Sequence, residues 1–264
     1  MKKTSILLLL LLFHIAFNSF SGVTILNGLT HVHSGDAGSV ISGKIKIRND
    51  SFKETRIVIY KQDLLLSCDK SAIFEYRDIN TNPHSLGNWL KINVDEKILA
   101  PNEEYDLNYI INVPKNFNQN GSYWTVLMIE NAEPIKEQNS QMFQVGSKVR
   151  YAVQLIAEIG NYESPPLQFE NVEYKKGINA ANYIQVKLKN TGNYSTQTQV
   201  NLEIYDSKGD KIKAFQGTLR RIYPNLCNVF ELEINGLSKG SYDGVIIADN
   251  GKDLYGSNVS IKID

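Results

Sequence analysis

The feature that most constrains this chain is a phrase it writes twice. Residues 120–131 read NGSYWTVLMIEN and residues 239–250 read KGSYDGVIIADN. The two align without a gap: Gly, Ser, Tyr, Val and Asn are shared, and Leu127 pairs with Ile246, Met128 with Ile247 and Glu130 with Asp249. The likeness extends outward. GKIKIRNDSFKETRIVIYKQD (43–63) resembles NYIQVKLKNTGNYSTQTQVNLEIYDSKGD (182–210), and APNEEYDLNYIINVP (100–114) matches YPNLCNVFELEIN (223–235). A chain that repeats itself at this separation builds one folding unit twice, and whatever one copy must be, the other must be too.

Each copy is patterned for β structure. Ile41, Ile45 and Ile47 alternate with Lys44, Lys46 and Arg48, and Ile184, Val186 and Leu188 alternate with Gln185, Lys187 and Lys189. Period-two alternation places apolar and polar side chains on opposite faces of a strand. Asn-Asp-Ser and Asn-Thr-Gly follow these strands and read as turns, since Asn and Gly tolerate left-handed backbone. No segment carries helical periodicity over ten or more residues. Short strands separated by turn residues, in units of about 100–120 residues, describe an all-β chain of two consecutive immunoglobulin-like β-sandwich domains. In that frame the shared Gly-Ser-Tyr is a tyrosine corner, with Tyr123 and Tyr242 each bonding back to nearby backbone. The expected division is 22–160 and 161–264, with a hinge at about Ile159–Pro166 stiffened by Pro165-Pro166.

The N-terminus sets the compartment. Lys2 and Lys3 precede an apolar run from Ile6 to Phe13, followed by Asn18, Ser19 and Ser21, the pattern of a secretory signal at residues 1–21. The run is shorter than the ~20 residues of a membrane span, so an exported protein, periplasmic or extracellular and with no transmembrane segment, is expected. Lys and Arg total 28, as do Asp and Glu, and a balanced chain offers no field for a nucleic acid or an anionic membrane. An exported compartment permits disulfides. Cys68 and Cys227 fall in different copies, however, and read as two small buried residues rather than a bridge.

Function tends to be added where a repeat departs from itself. The first copy carries Leu64–Leu99 where the second has the shorter Lys211–Ile222, and the longer stretch holds Tyr76, His84 and Trp89. Trp124 in the first phrase is replaced by Asp243 in the second. Two readings follow. The extra aromatics form further short strands that fill the core, or they make a binding surface, with Trp124 covering the extra segment or joining an exposed patch. Catalytic constellations are missing from the sequence. His31-Val-His33 places two imidazoles on one face near Asp36, but a third ligand is not specified. There is no Gly-x-Ser-x-Gly elbow and no Gly-rich phosphate loop. The chain reads as a non-enzyme needing no metal or cofactor.

The stretches KIRNDSFKETRIVIYKQD, LAPNEEYDLNYIINVP and NGSYWTVLMIEN resemble exported bacterial proteins of the WxL-interacting, peptidoglycan-binding type and, more distantly, the two-domain periplasmic chaperones of pilus assembly. The resemblance implies tandem immunoglobulin-like sandwiches and a partner that is an envelope protein or a peptidoglycan-like polymer. The paired basic residues with which pilus chaperones hold a subunit's terminal carboxylate do not align, and Arg150 is the one position offered for that role. Protein capture would use strand addition at an open sheet edge. Polymer capture would use exposed Tyr76, Trp89 and Trp124. A structural or adhesive module of a surface appendage is the alternative.

Overall fold

The computed structural model describes residues 22–65, 68, 73–75, 82–132, 135–136, 146–176, 182–206 and 208–263. The leader expected at 1–21 lies outside them. Regular structure among the described residues is entirely β. The first half contains β1 (Val23–Ile25), β2 (Thr30–Gly35), β3 (Val40–Asn49), β4 (Thr55–Leu65), β5 (Ile73–Glu75), β6 (Leu90–Ile92), β7 (Glu96–Leu99), β8 (Glu104–Asn112), β9 (Gly121–Asn131), β10 (Ile135–Lys136), β11 (Gly146–Ser147) and β12 (Arg150–Ile159). The second contains β13 (Leu167–Lys176), β14 (Asn182–Asn190), β15 (Thr196–Tyr205), β16 (Lys211–Gln216), β17 (Arg220–Ile222), β18 (Cys227–Glu233), β19 (Gly240–Asp249) and β20 (Leu254–Ile263).

Two immunoglobulin-like sandwiches result. In the first, β1-β3-β8-β6 faces β2-β12-β9-β4-β5, with β7 beside β4; in the second, β13-β14-β18 faces β16-β15-β19-β20, with β17 beside β15. The repeat is visible in the pairing, since β1-β3-β8 corresponds to β13-β14-β18 and β12-β9-β4 to β20-β19-β15. Each sandwich has its own core. Ile45, Ile47, Leu107, Leu127 and Ile129 anchor the first, and Val186, Leu188, Val200, Phe230 and Ile246 the second. The alternating residues of β3 and β14 therefore point as their period-two pattern requires.

Two turn devices recur at matching places. Asn49, fully buried, donates from Nδ2 to the carbonyls of Lys53 (2.8 Å), Leu99 (3.1 Å) and Ala100 (3.0 Å), and its Oδ1 accepts from the Ser51 amide at 3.1 Å. Asn190, equally buried, donates to the carbonyls of Tyr194 (2.7 Å) and Ile222 (3.1 Å) and accepts from the Gly192 amide at 2.8 Å. These side chains satisfy the main chain of the Pro-led turn that crosses beneath them. The left-handed residues are elsewhere: Asn102 and Asn225, each after a proline, both have φ 58. The asparagine that closes β3 or β14 is thus a buried side-chain hub, and the one after proline supplies the left-handed turn. The tyrosine corners also match. The Tyr123 hydroxyl donates to the Gln119 carbonyl at 3.3 Å and that of Tyr242 to the Ser238 carbonyl at 2.9 Å.

β2 has no counterpart in the second sandwich. After β1 the chain turns at Gly28, with φ 85, and crosses to the opposite sheet, where β2 lies parallel to β12 from Gln154 to Ile159. In the second sandwich β13 stays on β14 throughout, with a bulge between Phe169 and Asn171, and among the described residues β20 pairs only with β19.

The sandwiches meet along the start of β9 and the end of β12. Ser122 donates its amide to the Asn193 carbonyl at 2.9 Å and its Oγ accepts from the Ser195 amide at 2.8 Å. The Tyr194 hydroxyl reaches the Ile159 carbonyl at 2.9 Å. Gly121, at φ 149, is required here, because a Cβ would stand 2.6 Å from the Asn193 carbonyl oxygen. A third apolar cluster, of Leu64, Trp124, Val126, Met128, Ile156 and Tyr223 with Leu226 against it, covers the outer face of β9 with residues of both sandwiches. Cys68 and Cys227 are joined in a disulfide across this junction. The expectation of two unpaired thiols is corrected. Cys68 belongs to the stretch after β4 that is longer in the first copy, so the two cysteines do not occupy equivalent places in the repeat, and it bonds the first residue of β18.

Candidate functional site

β12 is the most unevenly partnered strand of the first sandwich. It pairs antiparallel with β9 along its whole length, whereas β2 begins opposite Gln154. Among the described residues, no strand lies beside Arg150–Val153 on the side away from β9. The ladder fixes which main-chain groups face outward. Gln154 donates its amide to the Leu29 carbonyl at 2.8 Å and Gly160 to the Gly35 carbonyl at 2.9 Å. By the alternation of an antiparallel strand, the amides and carbonyls of Arg150 and Ala152 point the same way, into the open.

The flanks of this edge are apolar. Val153 belongs to the first core, with Tyr151 packed against it. Ala152, on the other face, packs on the junction cluster. Leu29 and Val149 near the edge are 46% and 37% exposed. A strand laid here would meet apolar surface above and below. β20, whose far edge carries no strand among the described residues, has a packed cluster on only one face there.

Arg150 sits at the mouth of the edge, at the opposite end of β12 from the junction. Its guanidinium pairs with the Glu130 carboxylate, which also accepts from Lys148 Nζ at 3.2 Å and from the Tyr60 hydroxyl at 3.1 Å. Burial alone would raise the Glu130 pKa, but the bonds from Lys148, Tyr60 and Arg150 outweigh it and hold the carboxyl below its usual range. Two cations thus surround one carboxylate.

The aromatic candidates separate. Trp124 is 3% exposed. Its Nε1 donates to the Leu64 carbonyl at 3.2 Å, and its ring stacks on His84 at 5.1 Å and meets Tyr223 at 4.6 Å. It covers the extra segment, and the expectation of an exposed sugar-stacking face does not hold for it, because Tyr223 and His84 take its surroundings. Trp89 is half-buried against Phe117 and Tyr123, each at 4.9 Å. It is largely core, with Ile92 of β6 packed on the same cluster. Tyr76 lies outside the described residues. The histidines are bonded internally: His84 Nδ1 meets the Ser122 carbonyl at 3.0 Å, and burial lowers its pKa against the pull of that bond. His33 Nε2 meets the Tyr109 hydroxyl at 2.8 Å.

Sequence reasoning passed over Tyr223. It aligns with Ala100, which is exposed, just as Trp124 aligns with Asp243. These two departures from the repeat are in contact with each other, and the Tyr223 hydroxyl continues to Gln154 Oε1 on β12 at 2.7 Å. Comparing Ala100 with Tyr223 would have revealed the junction.

Fold and edge together define a class: tandem immunoglobulin-like sandwiches with one partly open strand. No family model matches the chain, and no curated protein matches it. Among solved structures, it is similar to the YadV chaperone at 11% identity, with 91% of this chain and 100% of that one covered and a TM-score of 0.46. It is likewise similar to the class 5 fimbriae chaperone CfaA at 12% identity (92% and 100% covered, TM-score 0.48) and to the E. coli chaperone DraB at 13% (93% and 97%, TM-score 0.42).

Proposed function

We propose that this chain is a non-enzymatic, exported envelope protein, divided as 22–160 and 161–264 after loss of its leader, that captures an extended segment of another protein by strand addition at β12. The observation that carries this reading is the unpaired edge at Arg150–Val153 between two apolar faces. Main-chain bonds from Arg150 and Ala152 would supply affinity, and the side chains of Leu29, Tyr151 and Val153 would select apolar residues in the partner. Arg150 and Lys148, sharing one carboxylate, would favour an acidic group at the partner's end.

Ala152→Pro tests this directly. Its amide faces the open edge, so proline removes a donor needed by a partner and leaves the β9 ladder intact. Losing one bond of about 1 kcal/mol weakens capture by roughly fivefold, and the ring adds steric exclusion. The mature chain is incubated with an envelope protein extract and, separately, with purified wall material. A bound protein released by Ala152→Pro supports the proposal. Retention on wall material alone, indifferent to the substitution, refutes it.

A further inference from the structure

β2 covers the second half of the same edge, and the side chains it turns inward are unusual. Thr30, Val32 and Ser34 are exposed, while the alternate residues His31, His33 and Gly35 turn inward. The strand thus contributes two imidazoles and a glycine where a sandwich strand ordinarily contributes aliphatic side chains. It is short, parallel and at the edge, with β12 its one neighbour in the sheet among the described residues.

We propose that β2 is a pH-operated cover. At neutral pH it occupies β12 from Gln154 to Ile159, and in mildly acidic solution it leaves, extending the open edge from Arg150–Val153 to the whole strand. This rests on the strand-addition reading of the site and specifies its regulation.

The surroundings of the imidazoles decide the sign. From β8, the Tyr109 ring meets His33 edge-on at 5.8 Å and His31 at 6.3 Å. Its hydroxyl is at hydrogen-bond distance from His33, and burial pushes its pKa up to about 12, so it stays neutral. From β3 come Gly43, whose missing Cβ leaves room for Tyr109 (a Cβ would stand 2.3 Å from its Cζ), and Ile41. Across the register on β12 are Leu155 and Ala157. The Gly28 carbonyl lies 3.2 Å from His31 Nε2. Among the described residues no carboxylate forms an ion pair with either histidine, and Asp36, just beyond β2, is exposed. A proton on His33 is therefore opposed by burial first and by His31 second, and both lower its pKa. The detached strand returns the ring to water, near the ordinary value of about 6.5. The detached form binds more protons, so attachment weakens as pH falls through about 6.5 and levels off below the attached value.

Amide exchange on the full mature chain tests the cover without any partner, so it can fail while strand addition stands, and the reverse. The amides of Gln154, Ile156 and Glu158 face β2, and those of Leu155 and Ala157 face β9. Between about pH 7.5 and about pH 5, after correction for intrinsic exchange, protection of the first set falls while the second set holds. In a His31→Gln/His33→Gln variant the first set keeps one protection at both pH values, and the second set verifies that the variant is folded. Equal protection of the first set at both pH values in the unmodified protein overturns the proposal. So does a fall shared by both sets, or a fall that persists in the folded variant; if the variant does not fold, the unmodified protein alone decides.

Discussion

Replacing both Cys68 and Cys227 by alanine removes the covalent tie between the sandwiches without leaving a free thiol. The bridge spans a sequence separation of 159 residues. Chain-entropy arithmetic for a loop of that length gives about 5 kcal/mol at room temperature, the upper end of what disulfides contribute. What remains at the junction is the cluster of Leu64, Trp124, Val126, Met128, Ile156 and Tyr223 and the bonds from Ser122, Ser195, Tyr194 and Tyr223. These hold the native state together but do nothing to confine the unfolded chain. The expected loss is about 2–5 kcal/mol. The assay is urea denaturation followed by tryptophan fluorescence, since Trp124 lies in the junction and Trp89 packs on the first core. With the tie in place, fluorescence and circular dichroism report one transition; without it, the fluorescence of Trp89 and Trp124, both in the first sandwich, changes at lower urea than the circular dichroism summed over both sandwiches. A variant with the midpoint and slope of the parent would refute the argument that this bridge restricts the unfolded chain and couples the two units.

Asn49→Ala leaves the Leu99 and Ala100 carbonyls without their donor in a buried turn. The cost is about 2–4 kcal/mol by denaturant midpoint, and Asn190→Ala costs about the same because the hub is the same; a loss under about 1 kcal/mol at either position would contradict the assigned role. Tyr223 is pushed up to about 12, chiefly by burial. Its unfolded value is about 10, so the unfolded chain ionises first: stability declines as pH rises from about 10 and levels off beyond about 12, by roughly 2–3 kcal/mol in all. Tyr223→Phe, which loses the bond to Gln154, removes this contribution and makes the decline shallower, leaving the part due to Tyr109, which burial raises equally. An unchanged pH dependence in the variant would show that Tyr223 is not its source.

Much of the fold was legible because strand periodicity is local. Ile45 and Ile47, or Val186 and Leu188, declare their buried face by alternation alone, and the paired Gly-Ser-Tyr phrases mark equivalent corners. The turns were half legible. Asn-Asp-Ser and Asn-Thr-Gly announced bends in the two copies, but which asparagine is left-handed and which is a buried hub depends on the carbonyls that pass beneath it. The site was less legible still. Arg150, singled out only through the family resemblance, stands at the start of β12, and its Glu130 partner comes from the neighbouring strand. Trp124 looked available for contact because its counterpart is Asp243, and the residue that covers it lies in the other sandwich.

The sequence alone determined two all-β units, their shared corners and the alternation that builds each core, since these follow from spacing along one strand. Tertiary structure decided the rest: the Cys68–Cys227 tie, the Trp124–Tyr223 contact, the crossing of β2 and the open half of β12. Each depends on which outer surfaces of the two units come together and which edge is left unpaired. Such surfaces are formed by residues far apart in the chain, and no periodicity within a strand encodes what lies against its far side.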